Sequence, residues 1–377
     1  MTGYAICARC VMDTTDREIA FDARGFCNHC RFYEQVTARE VLGPAEGTRR
    51  LAALVAEAKS EGEGKPYDCI VGLSGGVDSS YLALQARKLG LRPVAIHLDN
   101  SWDSEAAVHN IERIVRGLDL DLVTHVVDWL EFRDLQRAFI RAGVVDIEMI
   151  TDHAITALAH QIAIDHDVRW ILSGTNHVTE SIMPVTWTHR KSDLRNLKAI
   201  HQRFGRRPMS TLPTASMLRI QYNLRVRRLQ SISVLNHLPY TRAGAIEELR
   251  RELGWVDYGG KHHESLWTRF YQAHLLPQKF GVDKRRAHLS ALICSGQATR
   301  EEALSRLEKP LYGVAELRHD RDYVLKKLGF GEEEFDAIMR EPPRSHLDYP
   351  SDSDYIAPLM RLNRGLRRVP GLRRLAT

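Results

Sequence analysis

Residues 67–80, Tyr-Asp-Cys-Ile-Val-Gly-Leu-Ser-Gly-Gly-Val-Asp-Ser-Ser, constrain the fold more than any other stretch of this 377-residue chain. The apolar run through Ile70, Val71 and Leu73 reads as a buried parallel strand that ends in Ser74-Gly75-Gly76. A helical run then starts around Asp78, turns Tyr81, Leu82 and Leu84 inward and stops at Gly90. Two glycines between a strand and a helix let backbone amides approach a ligand, and the helix N-terminus behind them carries partial positive charge. That arrangement suits a phosphate group, with the hydroxyls of Ser74, Ser79 and Ser80 as added donors. No Gly-x-x-x-x-Gly-Lys-Ser/Thr occurs, so no lysine waits for a γ-phosphate.

Beyond the loop the chain alternates in the βα manner. Residues 93–98, 120–127 and 169–172 read as strands, and 104–118 and 152–166 as helices. Such alternation predicts an α/β fold with a doubly wound parallel sheet and ligands at the carboxyl ends of its strands. Three polar clusters, 74–80, 97–100 and 173–180, fall at those ends and are expected to share one site. His97 and Asp99 are expected to face an adenosine, Gly174 to leave room for the nucleotide, and Glu180 to help hold magnesium. Asp78 is expected to organise that metal or to cap the helix.

Four of six cysteines form two Cys-x-x-Cys pairs, Cys7/Cys10 and Cys27/Cys30, separated by sixteen residues. That spacing suits a four-cysteine zinc ribbon with a short hairpin near Gly25. About forty residues bury little core, so a metal worth roughly 10–16 kcal/mol would organise the module. Four thiolates leave no open position, which makes the zinc structural. Cys69 reads as a small core residue within the strand, and Cys294 as buried at a helix end. Neither lies in a Gly-x-Cys-x-Gly elbow.

The net charge of +5 is uneven: residues 190–230 carry +10 and the tail from Ile356 carries +6, leaving −11 elsewhere. An acidic body with two basic segments argues against a general nucleic-acid binder and for a local anion site. No run approaches 18 apolar residues and residues 1–10 lack a basic-then-apolar signal pattern, so the expected location is the cytoplasm. The arginine-rich tail reads as disordered.

The motif Ser-Gly-Gly-x-Asp-Ser after a strand resembles the PP-loop of the ATP pyrophosphatases. The ordered set of motifs resembles, more narrowly, the N-acetyl sugar amidotransferases of bacterial surface-polysaccharide and nonulosonic-acid biosynthesis. It comprises Cys7-Ala-Arg-Cys, Gly25-Phe-Cys-Asn-His-Cys, the loop itself, His97-Leu-Asp-Asn, Thr151-Asp-His-Ala-Ile and Leu172-Ser-Gly-Thr-Asn. It continues through Gly254-Trp-Val-Asp-Tyr-Gly-Gly-Lys-His, Phe280-Gly-Val-Asp-Lys-Arg-Arg, Cys294-Ser-Gly-Gln and Leu347-Asp-Tyr-Pro, to about Pro350.

The resemblance implies an N-terminal zinc ribbon (1–45), a PP-loop domain of the adenine nucleotide alpha-hydrolase-like kind (46–195), a mainly helical region (196–350) and a basic tail (351–377). It implies that ATP adenylates the oxygen of an acetamido group and that ammonia then displaces AMP, in lipopolysaccharide, O-antigen or nonulosonic-acid biosynthesis. Ser74, Asp78 and Ser79 would act in catalysis, with Ser74, Gly75, Gly76, Val77, Asp78, Ser79 and Ser80 around the pyrophosphate and Mg²⁺. Substrate candidates are Asp152, His153, Asn176, Lys261 in a glycine-rich loop, and Lys284, Arg285 and Arg286 as an anion grip. Ammonia would come from a separate glutaminase resembling the histidine-pathway amidotransferase subunits. The rival reading is a tRNA-modifying PP-loop enzyme of the thiolase kind, using the basic segment on phosphates.

Overall fold

The computed structural model describes residues 3–41, 44–257 and 264–355. Lys261, its glycine-rich loop and the arginine-rich tail from residue 356 lie outside the described residues. At the centre stands one parallel sheet of five strands: β1 (Cys69–Gly72), β2 (Pro93–Asp99), β3 (Asp121–Val126), β4 (Trp170–Ser173) and β5 (Gln230–Ser233). Their order is β3-β2-β1-β4-β5, with Ile70 opposite both Val94 and Ile171, and Leu172 opposite Ile232.

Alternate residues of the central strands serve opposite faces, each covered by helices. Ile70, Val94 and Ile96 pack on Ala159 and Ala163 of the helix Met149–Asp165. Cys69, Val71 and Ala95 face the core of Leu82 and Leu84 from the helix Val77–Lys88 and Ile111 and Ile114 from Glu105–Leu118. The order reverses between β1 and β4, so the crevice at their carboxyl ends is the place where such a sheet takes its ligand.

The fifth strand lies beyond residue 195, the expected end of the nucleotide domain. After it, Val234, Leu235, Tyr240 and Leu249 join the core of the Val77–Lys88 face, and Trp255 closes it. The sheet and the core that covers it therefore draw on elements out to Trp255. The last part is interrupted by helices Leu194–Phe204 and Met217–Arg225, which is why period and composition alone gave it away to the helical region. The basic segment is tied to the body through the loop between those two helices. Asp134 of the helix Trp129–Ala142 accepts from the amides of Arg206 (2.7 Å) and Arg207 (2.9 Å), and Glu131 accepts from those of Thr211 and Leu212.

The C-terminal region is helical, from Leu266–Phe270 through a π-helical stretch, Tyr271–Phe280, to Glu332–Arg340. Its apolar residues Phe270, Tyr271, Leu325 and Phe335 share one core with Phe132 and Phe139 and with the N-terminal cysteines. The cysteine module is thus docked and not free-standing. Val11 donates its amide to Ser290 (3.2 Å), Arg286 pairs with Asp13 (3.0 Å), and Arg300 donates to the carbonyls of Cys7 and Cys10. Among the described residues no helix is long and apolar enough to cross a membrane.

Candidate active site

The helix Val77–Lys88 begins at Gly76, which has extended backbone and offers no side-chain cap. Its first turn therefore has no side-chain cap, in contrast to Glu105–Leu118, which Ser104 caps, and Trp129–Ala142, which Asp128 caps, and an N-terminus of this kind suits an anion. The loop is shaped by its own serines. Ser79 Oγ accepts from the Ser74 amide (3.2 Å) and lies 3.1 Å from Ser74 Oγ, which accepts from the Gly76 amide (3.3 Å). Gly75 is required in two ways: its φ is +77°, and a Cβ there would stand 2.5 Å from the carbonyl oxygen of Ala107. Trp255 Nε1 donates to the Gly75 carbonyl at 3.0 Å and pins the turn from behind.

Asp78 neither caps the helix nor stands alone, because the Tyr240 hydroxyl donates to its Oδ1. Burial and the Asp78 charge push the Tyr240 phenol well above its ordinary range, so it remains a donor. Gly174 packs against the loop itself. A Cβ there would meet the backbone of Asp78 (3.2 Å) and Ser79 (3.3 Å), so its absent side chain lets β4 approach the loop itself. Asn176 is buried and caps the short helix His177–Glu180 by accepting from the Thr179 amide (2.9 Å), while its Nδ2 is buried without a partner among the described residues.

His97 lies at the end of β2 with both ring nitrogens engaged, Nδ1 on the Leu73 carbonyl (2.9 Å) and Nε2 on Asp103 (3.1 Å). Burial opposes the charged ring, but Asp103 and the carbonyl favour it and hold its pKa above the ordinary value. Asp99 turns away: it accepts from the Ser101 amide (2.7 Å) and lines a separate hollow with Glu112 and Arg116. Of the two residues expected to face adenosine, His97 alone borders the main cleft.

That cleft, about 610 Å³, opens from the loop toward the helical region. Ser74, Ser79, Thr175 and Glu180 line one side; Asp152, Lys191, Trp267, Lys284 and His288 line the other. The second side is built of ion pairs. Lys191 Nζ lies 2.7 Å from Asp146 and 2.9 Å from Asp152, and Lys284 Nζ lies 3.2 Å from Glu148. Burial pushes the Asp152 carboxyl above its ordinary value, with Lys191 opposing. Burial opposes charge on Lys191 as well, yet Asp152 and Asp146 hold its ammonium above the ordinary range.

Three substrate candidates are elsewhere. His153 is buried, accepting from the Ala215 amide (3.2 Å) and donating to the Lys191 carbonyl (2.8 Å). Arg285 folds back on Asp283 and on the carbonyls of Arg306 and Lys309. Arg286 points to the opposite side of its helix, into Asp13 and Val11 of the cysteine module. Sequence reading missed Lys191, Glu148, Asp103, Tyr240 and Trp255 as site residues. Trp255 alone carried a signal, standing inside a matched motif.

Cys7, Cys10, Cys27 and Cys30 are all fully buried, with neighbouring sulfurs 3.6–3.8 Å apart. Bonds of roughly 2.3 Å to one tetrahedral ion would set sulfurs about 3.8 Å apart, so the cluster fits a metal. Amides of Arg9, Cys10 and Cys27 donate to Cys7 Sγ and favour its thiolate. His29 is held by Asp16 (2.7 Å), outside the cluster. Cys294 Sγ lies 3.9 Å from Cys30, and Cys69 is buried in β1, where burial raises its thiol.

Among solved structures the chain is similar to NMN synthetase from Francisella tularensis, at 14% identity over 61% of this chain and 93% of that one, with a TM-score of 0.29. It is also similar to the NH3-dependent NAD synthetase of Campylobacter jejuni subsp. jejuni NCTC 11168, at 15% identity over 58% and 100%, with a TM-score of 0.29. No curated protein sequence matches it. Residues 264–363, which contribute Trp267, Lys284 and His288 to the cleft, match the family described as LPS biosynthesis protein WbpG-like, C-terminal domain.

Proposed function

We propose that the chain is an ATP-dependent, AMP-forming ligase of lipopolysaccharide biosynthesis that converts an acetamido group of an N-acetyl sugar into an acetamidino group. The observation that carries this reading is the uncapped, serine-shaped loop at the switch point of the sheet, opening into a cleft whose far wall belongs partly to the WbpG-like segment. In the first step the acetamido oxygen bonds to the α-phosphorus of ATP and the bond to the pyrophosphate oxygen breaks. In the second, ammonia adds to the imidate carbon, the carbon–oxygen bond breaks to release AMP, and a proton is lost.

The protein's task is to hold the pyrophosphate while charge grows on it. The amides at the start of the helix Val77–Lys88 and the hydroxyls of Ser74 and Ser79 supply donors fixed before the reaction. Tyr240 holds Asp78, and Trp255 holds Gly75, so the loop keeps its shape without ligand. Glu180, beside Ser79 and Thr175 in the cleft, is the carboxylate suited to magnesium, which when bound neutralises pyrophosphate charge. Zinc at the four cysteines is structural. Neither Cys69 nor Cys294 lines the cleft, which favours ammonia from a partner glutaminase and weighs against thiolase chemistry.

The test is pyrophosphate release from ATP with ammonium salts and a panel of N-acetyl sugars, free, nucleotide-linked and acidic, with mass spectrometry of the products. One sugar lighter by one mass unit, in step with AMP, is the expected result. Release driven by tRNA alone would replace this reading with the rival one.

A further inference from the structure

The helical wall of the cleft carries two lysines, and each is already neutralised. Lys191 Nζ contacts both Asp146 oxygens (2.8 and 2.7 Å) and one of Asp152 (2.9 Å). Lys284 shares Glu148 Oε2 with Gln272 Nε2, at 3.2 and 3.3 Å. Within this cluster three carboxylates against two ammonium groups sum to a formal charge of −1, and Glu264 lines the same cleft. Asp146 is buried and also accepts from Thr188 Oγ1 (2.8 Å) and the His189 amide (2.7 Å), so it anchors Lys191 from behind. What faces the cleft is the outer pair, Lys191 at 34% side-chain exposure and Asp152 at 45%. The guanidiniums of Arg285 and Arg286, which would have gripped an anion, are spent elsewhere.

We propose that this wall is a subsite for the uncharged, hydroxyl-bearing ring of a carbohydrate, read by Lys191 and Asp152 as a donor and an acceptor side by side. A phosphate or carboxylate on the same substrate is held outside it. The proposal rests on the sugar-modifying reading above. A hydroxyl both donates and accepts, so a fixed Lys–Asp pair engages neighbouring hydroxyls with charge-assisted bonds and keeps its own charge balance. An incoming carboxylate would have to compete with Asp146 and Asp152 for Lys191, and stripping it from Asp146 would leave a buried carboxylate without its partner. Ile155 and Met183 line the same cleft and give the ring's C–H face an apolar surface.

The experiment uses the full, zinc-loaded chain and measures binding of N-acetylglucosamine, UDP-N-acetylglucosamine and N-acetylneuraminic acid by calorimetry, with ATP titrated separately. Asp152→Asn keeps size and leaves the Lys191–Asp146 pair intact; Lys191→Met is the second variant. Each is expected to weaken the neutral sugar and its nucleotide form equally, by about tenfold or more, the loss of one bond to a charged group. ATP affinity should stay within about twofold, since that site is built from the loop. Tighter binding of the sugar acid by Asp152→Asn would overturn the proposal, because it would show an anion at the wall. So would unchanged affinity for every sugar, or no sugar bound by a chain that binds ATP. A chain that fails to bind ATP yet shows the expected sugar pattern would sink the ligase reading and leave the subsite standing.

Discussion

The cleft has two walls built on different principles. The loop wall, residues 72–79 and 173–180, uses backbone amides, glycine and small hydroxyls, and each of its pieces is continuous in sequence. The helical wall uses side-chain ion pairs drawn from Glu148, Asp152, Lys191 and Lys284. A backbone-built site is written as a local motif, because a turn is dictated by the residues within it. A side-chain-built site exists only after packing has brought its members together.

Both walls lean on the cysteine module, which is where the comparison breaks most easily. Tyr33 stacks on His177 at 5.3 Å beside the loop wall, while Asp13, Val11 and Cys30 hold the helix that carries Lys284. Metal removal by chelation, or Cys27→Ser, should give the largest effect, an apparent loss on the order of 10 kcal/mol. Metal content and thermal unfolding follow it, and binding of both ATP and sugar should disappear together. If ATP binding survived with sugar binding gone, the loop wall would stand without the module.

Gly75→Ala separates the walls. The positive φ and the 2.5 Å approach to the Ala107 carbonyl make any Cβ there a strain, of about 2–4 kcal/mol. Pyrophosphate release should fall by about a hundredfold or more as loop donors move off target, with sugar affinity kept. Unchanged release would mean that the phosphates bind elsewhere.

Legibility followed the same division. The loop, the four cysteines and strands β1 to β4 could be read because hydrophobic period and turn chemistry are local. β5 was lost because Gln230-Ser-Ile-Ser is short and polar, and it joins the sheet only by lying against β4 after a helical detour. Arg285 and Arg286 read as an anion grip because sequence shows charge but not partners. Lys191 went unnoticed in a run of eleven basic residues, where nothing local marks the one aimed at Asp152.

Between pH 7.5 and 5 the largest change in stability should come from His346, behind the helical wall. His346 is buried and accepts from the Asp146 amide at Nε2 (3.2 Å) while donating from Nδ1 to Asn196 (2.8 Å), an arrangement open only to the neutral ring. Burial first, then the neighbouring His189, stacked at 4.3 Å, lowers its pKa to about 3 from 6.5; Lys191 adds to this, and Asp146 and Asp193 oppose it. A depressed value means that the unfolded chain takes the proton more readily. The contribution is therefore whole above pH 6.5 and is lost as pH falls toward 3, reaching about 2 kcal/mol at pH 5. Asp193, held low against its burial by His189 and Ser351, loses its share only below its ordinary value of 3.8, so it plays no part between pH 7.5 and 5. His153, also lowered by burial, adds to the loss in that range. Thermal unfolding between pH 7.5 and 5 should thus show a declining stability that His346→Asn flattens in part. Sugar affinity of the folded chain should hold over the same range, because the native ring stays neutral and keeps accepting from the amide of Asp146, the residue that anchors Lys191. ATP affinity over that range should not follow the same proton. If it did, the two walls would be coupled through the sheet and could not be separated by mutation.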